Sequence, residues 1–259
     1  MMDDVRRHWE ANAPTWTRLS RAGYDVCRDH QNTPAFFEML PDVAGLDGID
    51  IGCGEGHNTR LLAARGARVV AVDFVSGFVR AAAMEQPNGI RYAVADALRL
   101  PFADGSFDFA TAFMSLMDVA GPEGALPEVA RILRPGGFLQ FSIVHPCFAP
   151  MHRRVVRDSS GRPVAIEVAR YFERVDGELE RWIFSAAPAE VKAGQPLFEI
   201  PRFHRPLSEW LNAVADAGFH VERCVEPSAD AETAARFPTL ADTRIAPNFI
   251  LFRCRRGVA

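Results

Sequence analysis

The feature that most constrains the fold is the run Asp50-Ile51-Gly52-Cys53-Gly54-Glu55-Gly56, which directly follows the short apolar stretch Gly48-Ile49-Asp50-Ile51. Glycines at this spacing let a strand turn sharply and bring backbone N–H groups close to a neighbouring molecule. A purely structural turn would carry the same residues, so the flanking pattern has to decide. From Thr33 to about His145, short apolar runs alternate with amphipathic stretches. Thr33-Pro34 reads as an N-cap with proline at the first helical position, followed by the stripe Phe36, Phe37, Leu40, Val43. The spacing predicts a helix over 59–65 ending at Gly66, a strand over 68–72 and a helix capped by Ser76 and running to about Gln86, stopped by Pro87-Asn88-Gly89. Strands follow over 90–94 and 107–114, then a helix over 122–133, which Arg134-Pro135-Gly136-Gly137 closes ahead of a strand over 138–144. Strands alternating with helices of this length imply parallel βαβ units with right-handed crossovers, a doubly wound α/β fold.

Three carboxylates mark the ends of the first three strands. Asp50 stands at the first tip, where an amino-acid tail carrying an ammonium group would need an acceptor. Asp73 ends the second strand about 20 residues beyond the glycines, where an acidic residue meets ribose hydroxyls in nucleotide-binding sheets. A helix-capping aspartate is the plainer reading of the same residue. Asp96 ends the third strand ahead of Ala97-Leu98-Arg99-Leu100-Pro101-Phe102, where a carboxylate accepts from an adenine amino group and apolar neighbours stack on the ring. The glycine spacing is G-x-G-x-G rather than the G-x-G-x-x-G of dinucleotide binders.

Together these motifs resemble the class I S-adenosylmethionine (SAM)-dependent methyltransferases, in the branch of ubiquinone-, menaquinone- and small-molecule-methylating enzymes. The likeness covers Gly45 to Val144 and includes Asp104-Gly105-Ser106-Phe107-Asp108 and Leu133-Arg134-Pro135-Gly136-Gly137. It implies a Rossmann-like sheet of seven strands, mostly parallel with the last antiparallel. It also implies that Gly52, Gly54, Asp73, Phe74, Asp96, Ala97 and Met114 contact SAM, with Asp50 and Cys53 beside them. The Asn/Asp-Pro-Pro-aromatic signature of nucleic-acid amino methylation is missing; Met114-Ser115-Leu116-Met117-Asp118 stands in its place. Asp118 is the lone carboxylate there, so no metal site is expected.

The rhythm breaks at His145-Pro146. Residues 146–205 read as an insertion over the ligand end of the sheet, a lid for the substrate, with an antiparallel hairpin of strands 168–172 and 180–184 around Asp176-Gly177. A helix over 207–217 stopped by Gly218, then strands near 219–225 and 248–254 forming an antiparallel edge, complete one domain over 1–259. Within it, 1–32 is an N-terminal cap, 33–145 the SAM-binding core, and 206–259 the C-terminal helix and edge strands.

His145, at the tip of the fifth strand, is the first candidate for a catalytic base near neutral pH, or else a cap for the turn before Pro146; His204 is the second. Cys147 follows strand five rather than strand four and reads as an ordinary loop cysteine. Trp16 and Tyr24 of the cap, Met117, and Phe148 and Phe203 of the insertion are the candidates for contacting a small, apolar or aromatic acceptor. A net charge of −4 argues against a nucleic-acid partner, and no apolar run approaches the roughly 20 residues that span a bilayer. Five scattered cysteines and an acidic Met1-Met2-Asp3-Asp4 opening suit a reduced, cytoplasmic protein with no signal peptide. The rival readings are a nicotinamide-dependent oxidoreductase, a SAM-binding regulator without catalysis, and a protein or RNA methyltransferase.

Overall fold

A computed structural model describes residues 2–85, 89–119 and 121–258. The chain opens with α1 (Met2–Arg21), a π-helical turn (Arg28–Asn32) and α2 (Thr33–Met39). It continues through β1 (Asp47–Ile51), α3 (His57–Ala64), β2 (Arg68–Asp73), α4 (Ser76–Met84), β3 (Arg91–Val94), β4 (Phe107–Phe113), α5 (Pro122–Ile132) and β5 (Leu133–Val144). Next come β6 (Arg153–Arg157), β7 (Pro163–Val168), β8 (Val175–Trp182), α6 (Ala189–Ala193) and β9 (Phe198–His204). The chain closes with α7 (Leu207–Asp216), β10 (Phe219–Val225), α8 (Ala231–Arg236) and β11 (Phe249–Arg256).

One seven-stranded sheet runs in the order β10-β11-β5-β4-β1-β2-β3. β1 pairs in parallel with both β2 and β4, so chain order reverses between β1 and β4 and a crevice opens at their carboxyl ends. β11 is antiparallel to β5 and to β10, and it lies between them. The last strand is therefore the antiparallel one, as expected, but the sheet edge beyond it is β10. Both faces are covered, which is why these strands read as unbroken apolar runs. Ile49, Ile51, Val70, Val72 and Phe141 pack with Leu126 and Val129 of α5 on one face. Phe109, Phe138 and Val69 pack with Phe36 of α2 and Leu62 of α3 on the other.

Local readings needed revision in four places. Thr33 lies inside the helical path rather than capping it, because the π-helical turn runs straight into α2; its hydroxyl donates to Asn58 Oδ1 at 3.2 Å. Ser76 begins α4 without a side-chain cap, since the carboxylate of Glu10 from α1 takes the Ser76 and Gly77 N–H groups instead, at 2.6 and 3.0 Å. Arg134 to Gly137 belong to β5 itself. The stop expected at Pro87-Asn88 falls outside the described residues.

The fourth revision is the hairpin. Asp176-Gly177 is not a turn: Gly177, at φ +95°, sits within β8 where the register slips between Asp176 and Glu178. A glycine with left-handed backbone serves a bulge as readily as a two-residue turn. β8 pairs antiparallel with β9, far along the chain, and β6 pairs with β7 around a turn whose Asp158 accepts from Ser160 and Arg162 N–H. Residues 145–206 thus lie between β5 and α7 as two separate ribbons. The β8–β9 ribbon docks on α1, where the Asn12 amide exchanges hydrogen bonds with the Glu199 backbone at 2.9 and 3.3 Å.

Candidate active site

The glycine turn folds back on the end of β2. Gly52 and Cys53 N–H both donate to Val72 O, at 2.8 and 3.0 Å. Gly52 has φ +71°, and a Cβ there would sit 2.2 Å from Ser115 Cβ, so glycine is required by backbone and by space. The Asp73 carboxylate accepts from Gly54 N–H and Val75 N–H, both at 2.9 Å, which ties the turn to the start of α4. Asp50, 2% exposed, is held by the hydroxyls of Thr59 at 2.6 Å and Thr111 at 2.8 Å. Burial pushes the Asp50 carboxyl up against those hydroxyl bonds, and pushes Asp73 up to about 6 despite its two N–H donors. Carboxylates keep spare lone pairs under these conditions, so each can still accept from a ligand.

Beyond β4 the chain leaves the sheet through Met114, a non-glycine residue at φ +53° whose N–H donates to Ser142 O at 3.0 Å. That left-handed step carries Ser115, Met117 and Asp118 around the rim of a cavity of about 550 Å³. Every residue expected to face the cofactor borders this one cavity: Asp50, Gly52, Cys53, Gly54, Asp73, Phe74, Asp96, Ala97 and Met114. Asp96 also turns its own loop, accepting from Leu98 N–H at 2.9 Å. Trp16, Tyr24 and Met117, three of the expected acceptor contacts, border it too.

The two histidines are placed differently. His145 is 1% exposed and does not border the main cavity. Its Nδ1 accepts from Cys147 N–H at 3.1 Å, so Nε2 carries the proton and meets Glu226 Oε1 at 2.7 Å. Neither ring nitrogen is left for an acceptor. His204 Nε2 meets Tyr171 O at 2.6 Å. Both line only a small adjoining space of about 20 Å³, as does Phe203. Phe148 packs on the His145 ring and borders neither. Cys147 Sγ lies 3.6 Å from Tyr171 OH, outside the main cavity. Among the described residues no cluster of three or more His, Cys, Asp or Glu side chains is arranged to hold a metal ion.

Several cavity residues escaped the sequence reading. Glu55, 4% exposed, is gripped by Arg21 and Arg60 at 2.9 Å and by Arg28 at 3.4 Å, which locks α1 and the π-helical turn onto the glycine loop. Asn32 Oδ1 is buried in the wall and accepts no hydrogen bond among the described residues. The far wall is aromatic: the Trp16 ring stands 5.5 Å from Trp182 and 4.9 Å from Phe184. Arg202 of β9 and Asp118 complete that side. Trp16 and Asp118 stand out in the sequence, and Trp182 and Phe184 belong to an insertion rich in aromatic residues; Glu55, Asn32 and Arg202 leave no signal.

Comparison with known proteins places the arrangement. A family model described as a methyltransferase domain matches residues 49–141, the stretch that carries all three tip carboxylates. A demethylmenaquinone methyltransferase of Beutenbergia cavernae is 40% identical over 139 residues, 54% of each chain. The solved structure of an S-adenosylmethionine-dependent methyltransferase from Mesorhizobium loti superposes with a TM-score of 0.70 at 29% identity, covering 86% of this chain and 96% of that one. The chain belongs to the class I SAM-dependent methyltransferases. A further demethylmenaquinone methyltransferase, from Clavibacter sepedonicus, is 33% identical over 183 residues, 68% of this chain and 66% of its own. The chain spans about half to two thirds of the length of these curated relatives.

The residues present suit the cofactor of this methyltransferase family. Its methionine end carries an ammonium, and Asp50 together with the unpartnered Asn32 Oδ1 offers buried acceptors in the cavity wall. Its ribose and adenine carry donors, and Asp73 and Asp96 stand at the next two strand tips. Gly52 lets the turn pack directly on Ser115, where a side chain has no room.

Proposed function

We propose that the chain transfers a methyl group from SAM to an O, N or C atom of a small ring-bearing molecule of phenol or quinone type. One observation carries this reading: a single cavity joins three strand-tip carboxylates at one end to an aromatic wall of Trp16, Trp182 and Phe184 at the other. The names of the demethylmenaquinone-methylating relatives support the acceptor class. When bound, SAM supplies a methyl group already activated by its sulfonium charge. Asp50 and Asn32 would hold the methionine end, Asp73 the ribose hydroxyls, and Asp96 with Ala97 the adenine. Tyr24 and Phe74 would cover the cofactor, and Met114 and Met117 would border the space between it and the acceptor.

The chain's main task is alignment. Holding two reactants in line supplies about 7–11 kcal/mol of a barrier in favourable cases. The aromatic wall would seat the acceptor ring and exclude water, with α1 acting as a cap and the β8–β9 ribbon as a lid. The work would take place in the cytoplasm on a free small molecule; no helix among the described residues is long and apolar enough to cross a membrane. The test is to follow labelled methyl from SAM in extracts of small molecules and of macromolecules. Label is expected in the organic-soluble fraction. Label only in protein or RNA would overturn the acceptor class, and no binding of S-adenosylhomocysteine would overturn the reading as a whole.

A further inference from the structure

Among the described residues, Asp118 is the one carboxylate on the acceptor side of the cavity that nothing else employs. It follows β4 in a single 3₁₀ turn (Leu116–Asp118) whose backbone is fixed by Asp118 N–H donating to Ser115 O at 3.0 Å. Its carboxylate makes no hydrogen bond and no ion pair within 4 Å among the described residues. Asp50, Asp73 and Asp96, by contrast, are each tied to hydroxyls or backbone N–H groups. The residue borders both the main cavity and the small adjoining one, at the junction where Met117, Val144 and Arg202 also meet. The charged groups that face it come from the β8–β9 ribbon: Arg202, which draws its proton off, and Glu180, which opposes that. Arg202 Nε is itself 3.5 Å from Glu180 Oε2. On α5, Glu128 and Arg131 are spent on each other and on the Leu100–Asp104 loop. Past β5, His145 is committed to Glu226 and to Cys147 N–H.

Resting on the methyltransferase reading above, we infer that Asp118 is the general base, and that the acceptor presents an ionisable ring hydroxyl to it. The hydroxyl proton passes to Asp118 Oδ. The electron pair left on oxygen, or on the ring carbon conjugated with it, forms the new bond to the methyl carbon. The carbon–sulfur bond breaks with its pair remaining on sulfur, which becomes a neutral thioether. Arg202, across the junction, faces the negative charge that develops on the acceptor. Burial supports the role: it raises the Asp118 carboxyl to about 7, so the residue is a stronger base than a surface aspartate, about half ionised at neutral pH and mostly ionised above it.

The probes are 1-naphthol and nitro-substituted naphthols of rising acidity, tested on wild type and Asp118→Asn with S-adenosylhomocysteine affinity as the check on folding. In wild type, kcat/KM for 1-naphthol is expected to climb with pH and level off above about 7. Asp118→Asn is expected to lose that climb and to be slower by about 100- to 1,000-fold. The deficit should shrink below about tenfold for naphthols already ionised at the assay pH, a rescue that a structural aspartate would not give. A second readout needs no turnover. Affinity of the S-adenosylhomocysteine complex for 1-naphthol should fall about tenfold from about pH 8 to about pH 6 in wild type and stay flat in the variant. A chain that holds S-adenosylhomocysteine yet binds 1-naphthol without pH dependence, or not at all, overturns the base and leaves the transferase reading standing. An equal deficit across the naphthol series overturns it as well. Failure to bind S-adenosylhomocysteine overturns the transferase reading instead.

Discussion

The two halves of the cavity wall are built on opposite plans. The strand-tip half takes its three carboxylates from residues 50–97, joined by Asn32 and Met114, and those carboxylates are fixed by hydrogen bonds of 2.6–2.9 Å. The aromatic half is assembled from α1 and the β8–β9 ribbon, joined where Asn12 meets Glu199 across 187 positions of sequence. Hydrogen bonds between neighbouring strand ends hold the first half; ring packing between distant segments holds the second. Such a division suits a shared cofactor on one side and an acceptor particular to this chain on the other.

The largest expected effect comes from the polar half. Asp73→Ala removes the carboxylate that ties Gly54 to Val75, and with it the proposed ribose acceptor, and should weaken S-adenosylhomocysteine binding by about 100-fold, read by calorimetry. An affinity within about threefold of wild type would break the comparison at its firmest point. Trp182→Ala, on the aromatic half, should raise KM for a naphthol acceptor about tenfold while cofactor-product affinity stays within about twofold. Equal losses for both ligands would mean that the halves are not separable.

The smallest effect sharpens the electrostatics. A carboxyl whose folded pKa is raised from 3.8 to about 7 binds a proton that the unfolded chain does not hold in that window. Its contribution to ligand-free stability is therefore largest at the acid end, below 3.8, and is lost as pH rises through about 7. The difference in unfolding free energy between wild type and Asp118→Asn should accordingly shift against wild type by about 1 kcal/mol between about pH 5 and about pH 8, discounted because the carboxyl borders a wet cavity. Parallel curves would place the carboxyl in bulk solvent.

How far the sequence could be read follows the same division. The Asp50–Gly56 turn, Asp73 and Asp96 were legible because each stands at the end of an apolar run, although Asp50 and Asp73 are held by Thr111 and Gly54, 61 and 19 positions away; the parallel strands were legible because their apolar runs are buried on both faces. α1 was not read as a helix. Pro14 reads as a helix breaker in the sequence, yet it lies inside a continuous helix whose Val5, Trp9, Ala13, Trp16 and Leu19 form a stripe at helical spacing. Gly177 misled because a left-handed glycine suits a turn and a bulge alike, and only the β9 partner distinguishes them. His145 sits at a strand tip as expected. Its orientation is set by Asn248, whose carbonyl accepts the His145 N–H at 2.8 Å, and by Glu226, both from the C-terminal segment where no motif guided the reading.

The most direct measurement is a crystal structure with S-adenosylhomocysteine bound. Its methionine end should lie against Asp50 and Asn32, its ribose on Asp73, its adenine beside Asp96, and its sulfur toward Met117 and Asp118. A ligand seated outside the strand tips, or with its sulfur turned away from the Trp16–Trp182 wall, would contradict the assignment.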